Sequence, residues 1–137
     1  MTQSDEAPRA GKPPDMNSEE RLRAELLTSG LEDWVPLAEV ETVINRANLA
    51  DSLTALQDLA LRTIRSLLAD GLMRIGDLPH PGEDFAGWDV SIDAAMQRVY
   101  DLFVGHYHER ALWDLTIWLG LTPDGEKLAR TLYSHPT

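Results

Sequence analysis

LGLTPDGEKLARTL, residues Leu119 to Leu132, joins an apolar run to an amphipathic run with nothing between them. Thr122 is a good helix N-cap, because its hydroxyl can accept from an otherwise unpaired N–H. Pro123 at the next position lacks an N–H that would be unpaired anyway. The stretch therefore predicts a strand feeding a helix without a loop. Leu128, Ala129 and Leu132 form the expected inward face of that helix. Upstream, residues 112–121 alternate Leu115, Ile117, Leu119 and Leu121 against Thr116 and Trp118. That pattern predicts a strand with one buried face.

Working back along the chain, Asn17-Ser18-Glu19-Glu20 reads as a capping box. It opens a short helix with Leu22, Leu26 and Leu27 on one side, stopped by Gly30, which tolerates positive φ. Trp34-Val35-Pro36 is extended, with Pro36 at or near the start of a second helix. Leu37, Val40, Ile44 and Ala47 form the stripe of that helix. The run from Leu53 to Asp70 has the strongest helical pattern. Leu53, Leu56, Ala60, Ile64, Leu67 and Leu68 keep one face apolar, while Gln57, Asp58, Arg62, Arg65 and Ser66 share the other. Gly71 ends it. Leu72 to Leu78 suggests a strand, and PHPGEDFAGWD, rich in Pro and Gly, a loop. A further helix after Ser91 carries Ile92, Ala95, Met96, Val99, Phe103 and Tyr107 at helical spacing.

The order is helix, short extended segment, helix, longer helix, strand, strand, helix. It resembles the winged-helix domain, a helix-turn-helix variant with a two-stranded hairpin. Leu67 to Met73 is similar to the join between recognition helix and first wing strand. Leu121-Thr122-Pro123-Asp124-Gly125-Glu126 is similar to the junction after the second wing strand in MarR-like and PadR-like regulators. The chain also resembles small actinobacterial proteins sharing a WVPLAEV…LLxxGLMxxGDL…FxxWD pattern, a likeness that implies a fold and no particular activity. The fold class expected is mainly α with a small antiparallel β-hairpin, winged-helix-like, with a helical insert in the wing. The expected organisation is a disordered tail over residues 1–16 and a single domain over 17–137. The tail is poor in large apolar side chains and holds three prolines, so it cannot offset ordering entropy. It has no apolar centre of the kind a signal peptide needs.

The formal net charge is −11 and there is no cysteine. Disulfides, zinc-finger sites and thiol catalysis are thereby excluded, and a cytoplasmic protein is expected. No apolar run is long enough to span a membrane, and no membrane partner is expected. Residues 61–76 hold three basic side chains and one acidic. Every other part of the chain is net acidic, so a phosphate backbone would be repelled at long range. If the resemblance carries over, Ser52, Thr54 and Gln57 would touch base edges, and Arg62, Arg65 and Arg74 would contact phosphates. Against that carry-over, the roughly thirty residues between the two expected strands are acidic, where an ordinary wing tip is basic.

The polar cluster Gly105-His106-Tyr107-His108-Glu109-Arg110 is the other candidate for chemistry. On a helix, His106 and His108 point to different sides and cannot easily share a metal, whereas His106 and Glu109 share a face. His80 and His135 sit beside prolines. No metal site or cofactor is expected. Glu83, Asp84, Asp89 and Asp93 do not follow the calcium-loop spacing and read as a solvated acidic loop. No nucleophile elbow or phosphate-cradling glycine run is present.

Two function classes follow. The first, favoured on charge, is a non-enzymatic protein-binding module, an adaptor or immunity-type inhibitor. It would meet a basic protein partner through Glu83, Asp84, Asp89, Asp93 and Trp88. The alternative is a transcriptional regulator, a homodimer, binding DNA through helix 53–70. A metal-dependent or acid/base enzyme is the third and weakest. Trp88 is expected to pin the insert to the domain, and Trp118 either to pack beneath the inserted helix or to face a partner.

Overall fold

The computed structural model describes residues 17–78 and 81–133. The tail expected over residues 1–16, His80 and His135 lie outside the described residues. In chain order the elements are α1 (Ser18–Gly30), β1 (Val35–Pro36), α2 (Leu37–Arg46), α3 (Leu53–Ala69) and β2 (Met73–Asp77). They continue with β3 (Ala86–Gly87), α4 (Ile92–Phe103), a 3-10 turn at Arg110–Leu112, β4 (Trp118–Leu121) and α5 (Pro123–Tyr133). The fold is mainly helical with a small antiparallel sheet.

The capping box forms as read. The Asn17 side chain accepts from the Glu20 N–H at 2.8 Å, and Glu20 accepts from the Asn17 N–H at 3.1 Å. The α1 helix ends at Gly30 without positive φ. The glycine serves another purpose there, since a Cβ would lie 2.8 Å from Leu121 Cγ. Gly71, by contrast, does take φ of +71° after α3.

The sheet order is β1-β4-β2-β3, with every pairing antiparallel. Met73 faces Leu121 and Gly76 faces Trp118, so two segments far apart in sequence lie side by side. The sheet is larger than the two-stranded hairpin expected. Val35–Pro36 adds an edge against β4, and Ala86–Gly87, read as loop, adds the other edge against β2.

The Thr122 junction explains how α5 is aimed. Its hydroxyl accepts from the Gly125 N–H at 3.0 Å and donates to the Gly71 carbonyl at 2.6 Å. Its N–H donates to the Leu72 carbonyl at 3.1 Å. One residue thus caps α5 and ties it to the α3–β2 turn. The inward face of α5 differs from expectation: Gly125 and Ala129 are buried, Leu132 is partly covered, and Leu128 is exposed.

The strand expected over residues 112–121 is confined to Trp118–Leu121. Arg110 to Thr116 coil into a 3-10 turn and further turns, so Leu115 is 57% exposed rather than inward. The cause is Trp113, which is fully buried and is held by its indole N–H donating to the Tyr107 carbonyl at 3.0 Å. Burying so large a ring one residue past the turn overrides the alternation, because an aromatic of this size is a major source of apolar burial. Tyr107 also lies beyond α4, which stops at Phe103. The core joins Leu22, Leu26 and Leu27 of α1, Val40 and Ile44 of α2, and Leu56, Ala60, Ile64 and Leu67 of α3 to Ile75 and Leu119 of the sheet. Leu53, expected on the inner stripe, is 41% exposed at the first turn of α3, and Leu59 and Thr63 are buried in addition.

Candidate functional site

The α4 helix, inserted between β3 and β4, needs a surface for Ala95, Met96, Val99 and Phe103. It finds one along α3. The Gln57 side-chain amide donates to the Phe103 carbonyl at 3.2 Å, and Arg65 contacts Asp93 at 2.9 Å. Early α3 thus meets late α4, and the two helices run antiparallel. Positions 57, 61, 65 and 68 recur at steps of three and four and form one row on α3. Gln57 is therefore a contact to α4, where the sequence suggested a base reader.

The other candidate DNA contacts are similarly engaged. Ser52 is the N-cap of α3 and accepts from the Ala55 N–H at 3.1 Å. Thr54 is exposed. Arg62 is held by Asp58 at 2.8 Å and by Glu19 of α1 at 2.9 Å. The Asp58 hydrogen bond, against a smaller effect of burial, keeps this guanidinium protonated to still higher pH than usual. Arg65 is paired with Asp93, as above. Arg74 lies apart from these two, on β2, where it donates to the Phe85 carbonyl at 3.2 Å and sits 5.2 Å from the centre of the Phe85 ring. The structure brings Arg62 and Arg65 to one groove and leaves Arg74 elsewhere.

In the acidic segment, Glu83, Asp84 and Asp89 are exposed. The Asp93 side chain is 87% exposed despite its ion pair. Trp88 is half-buried and pinned. Its indole N–H donates to Asp77 at 2.9 Å, its backbone N–H donates to the Ile75 carbonyl at 2.9 Å, and Arg98 lies 4.2 Å over its ring. It fastens the insert, as expected, and its polar edge is already satisfied. Trp118 is half-buried and donates to the Leu115 carbonyl at 2.7 Å.

A third constellation was missed by sequence reasoning. Glu41 of α2 is only 8% exposed. It accepts from the Tyr107 hydroxyl, and from Arg110 at 2.8 Å. Arg110 also lies 4.6 Å from the centre of the Trp113 ring, and Tyr107 stacks on that ring at 5.4 Å. Burial, then the neighbouring Glu41 carboxylate, push the Tyr107 hydroxyl above its usual pKa. One signal was available: Glu41 falls among Leu37, Val40 and Ile44 at stripe spacing, so a carboxylate on a buried face needed a partner. Nothing in the sequence identified that partner.

His106 and Glu109 do meet, with Nδ1 to Oε1 at 2.6 Å, in the turn after α4. Among the described residues, no group of three or more His, Asp or Glu side chains is placed to hold a metal ion. No described helix is long and apolar enough to cross a membrane. No family model matches the chain, and no curated protein or solved structure matches it.

Proposed function

We propose that the protein is a non-enzymatic binding module on a winged-helix-like scaffold, and that its acidic surface receives a basic protein partner. One observation carries the reading. Both guanidiniums on the outer face of α3 are held by carboxylates, Arg62 by Asp58 and Glu19, and Arg65 by Asp93. A phosphate approaching that face would have to compete with these partners. A partner rich in Lys and Arg is steered inward by a net charge of −11 and can use the exposed Glu83, Asp84 and Asp89. The DNA-binding reading is weaker, because Gln57 is committed to Phe103 and Ser52 to its cap. The cysteine-free sequence is the sole ground for placing this module in the cytoplasm.

The test compares capture of partners by the native chain and by a triple variant, Glu83→Gln, Asp84→Asn and Asp89→Asn. A basic protein recovered by the native chain is expected to be lost by the variant and released by moderate salt. Equal recovery by both chains would remove the acidic loop from the mechanism. A shift of duplex DNA at low salt, abolished by Arg62→Ala with Arg65→Ala, would favour the regulator instead.

A further inference from the structure

Between α3 and α4 runs an open groove of about 400 Å³, lined by Leu61, Arg62, Arg65, Met96, Gln97 and Tyr100, with Asp93 at one end. Met96 is 6% exposed and forms part of its floor. Leu61 is half-buried and Tyr100 is 49% exposed. We propose that this groove docks an amphipathic α-helix of a partner protein, with apolar side chains inward and lysine or arginine on its flanks. This rests on the protein-binding reading and deepens it: the acidic loop steers, and the groove anchors.

The charges around the groove select the occupant. Asp93 lines the groove, Glu19 and Asp58 pair with its Arg62, and Asp101 accepts from its Gln97, so four carboxylates stand in or beside it against Arg62 and Arg65. Both arginines are already neutralised by three of those carboxylates, at 2.8 to 2.9 Å. Among the described residues, the Asp101 side chain takes only the Gln97 amide, at 2.9 Å. What is left for a newcomer is negative. That disfavours nucleic acid, and it disfavours a second copy of a chain carrying −11. Shape agrees with a helix. The groove's lining on α4 runs from Asp93 to Tyr100, about 10 Å at about 1.5 Å per residue, so it receives roughly two turns of a partner helix. Apolar side chains at i, i+3 and i+4 would reach Leu61, Met96 and Tyr100, the usual mode of helix-in-groove recognition. Met96 suits such a floor, since an unbranched thioether adapts to different partners.

The experiment uses the full chain and a fluorescent synthetic helix of about fourteen residues, leucine on one face and lysine on the other. Association and dissociation rates are measured separately. Tyr100→Ser with Leu61→Ser is expected to raise the dissociation rate about tenfold, the effect of losing apolar anchors. The loop triple variant is expected to slow association instead. A matching leucine–glutamate peptide should not bind. An unchanged dissociation rate in the groove variant, with association still slowed by the loop variant, overturns the groove and leaves the acidic-surface reading standing. Unchanged rates in both overturn the two together. Equal binding of the glutamate peptide, or displacement of the probe by duplex DNA, also overturns the proposal. Should the double variant not fold, Tyr100→Ser alone, at an exposed position, replaces it. Amide shift changes induced by the probe in the native chain must then fall on α3 and α4; shifts confined to other elements overturn the groove.

Discussion

Gly125→Ala sets two physical effects against each other at the junction that fixes the fold. Gly125 is the third residue of α5, and helix propensity alone favours alanine there by about 1 kcal/mol. The surroundings reverse that sign. A Cβ at Gly125 would lie 1.8 Å from the Leu72 carbonyl oxygen and 2.8 Å from its carbon. Ordinary contact would require about 1.5 Å of retreat. Leu72 is backbone at the start of β2, and its oxygen already accepts from the Thr122 N–H at 3.1 Å. Retreat therefore breaks that bond and strains the Met73–Leu121 pairing beside it. Overpacking costs about 1–3 kcal/mol, and the lost hydrogen bond adds about 1 kcal/mol. After the propensity gain, the net loss is about 1–3 kcal/mol. For a chain of this length the melting temperature should fall by about 3–12 °C. Far-ultraviolet circular dichroism during heating measures this, and urea unfolding should show a lower midpoint with an unchanged slope. A variant melting at or above the native temperature would refute the reasoning, and with it the close approach of α5 to the α3–β2 turn.

Gly76→Ala makes the analogous test at β3. A Cβ there would meet the Ala86 oxygen at 2.0 Å, whereas one at Gly87 meets nothing nearer than 3.7 Å. The first substitution should cost about 1–3 kcal/mol and speed amide exchange at Trp88, and the second should change stability by less than about 0.5 kcal/mol, both read by hydrogen exchange and urea unfolding. Thr63 is fully buried and its hydroxyl has no hydrogen-bond partner among the described residues, so Thr63→Val should stabilise by about 1 kcal/mol in the same unfolding assay. Tyr107 has a folded pKa above its unfolded value of about 10. The stability this contributes is complete below about pH 10 and is lost as pH climbs through the higher folded value. Unfolding midpoints measured from pH 9 upward should therefore decline, and Tyr107→Phe should flatten that decline.

What was legible in the sequence was whatever is decided locally. The capping box at Asn17, the Thr122 cap and the glycine after α3 depend on neighbours within a few residues, and each forms where it was read. The apolar stripes of α1 and α2 hold for the same reason. Pairing of the two distant strands was expected from the winged-helix resemblance, not from the residues themselves, and the observed register sets Met73–Gly76 against Trp118–Leu121. Residues 112–117 were not. Their alternation was genuine, but it competed with one large ring, Trp113, that needed burial against Phe103 and Tyr107. Local pattern carries no record of so distant a packing demand. Edge strands of two residues, such as β3, leave too short a pattern to register at all.

The surroundings of the candidate site were not legible for a related reason. Gln57, Arg62 and Arg65 look like a solvated or nucleic-acid-facing row when α3 is considered alone. Their partners lie 46, 43 and 28 positions away, at Phe103, Glu19 and Asp93. Only the docking of α4 on one side and α1 on the other brings those groups within reach. The insertion of α4 therefore does two things at once. It gives its own apolar stripe a surface to cover, and it supplies a carboxylate to a cation that would otherwise stand free. A helix that reads phosphates through free guanidiniums cannot also spend them on its neighbours, because each hydrogen bond made within the chain must be broken before another can form. The face that results holds its cations in ion pairs and leaves Asp101, Tyr100 and part of Leu61 accessible. That chemistry would suit the basic, partly apolar helix proposed above.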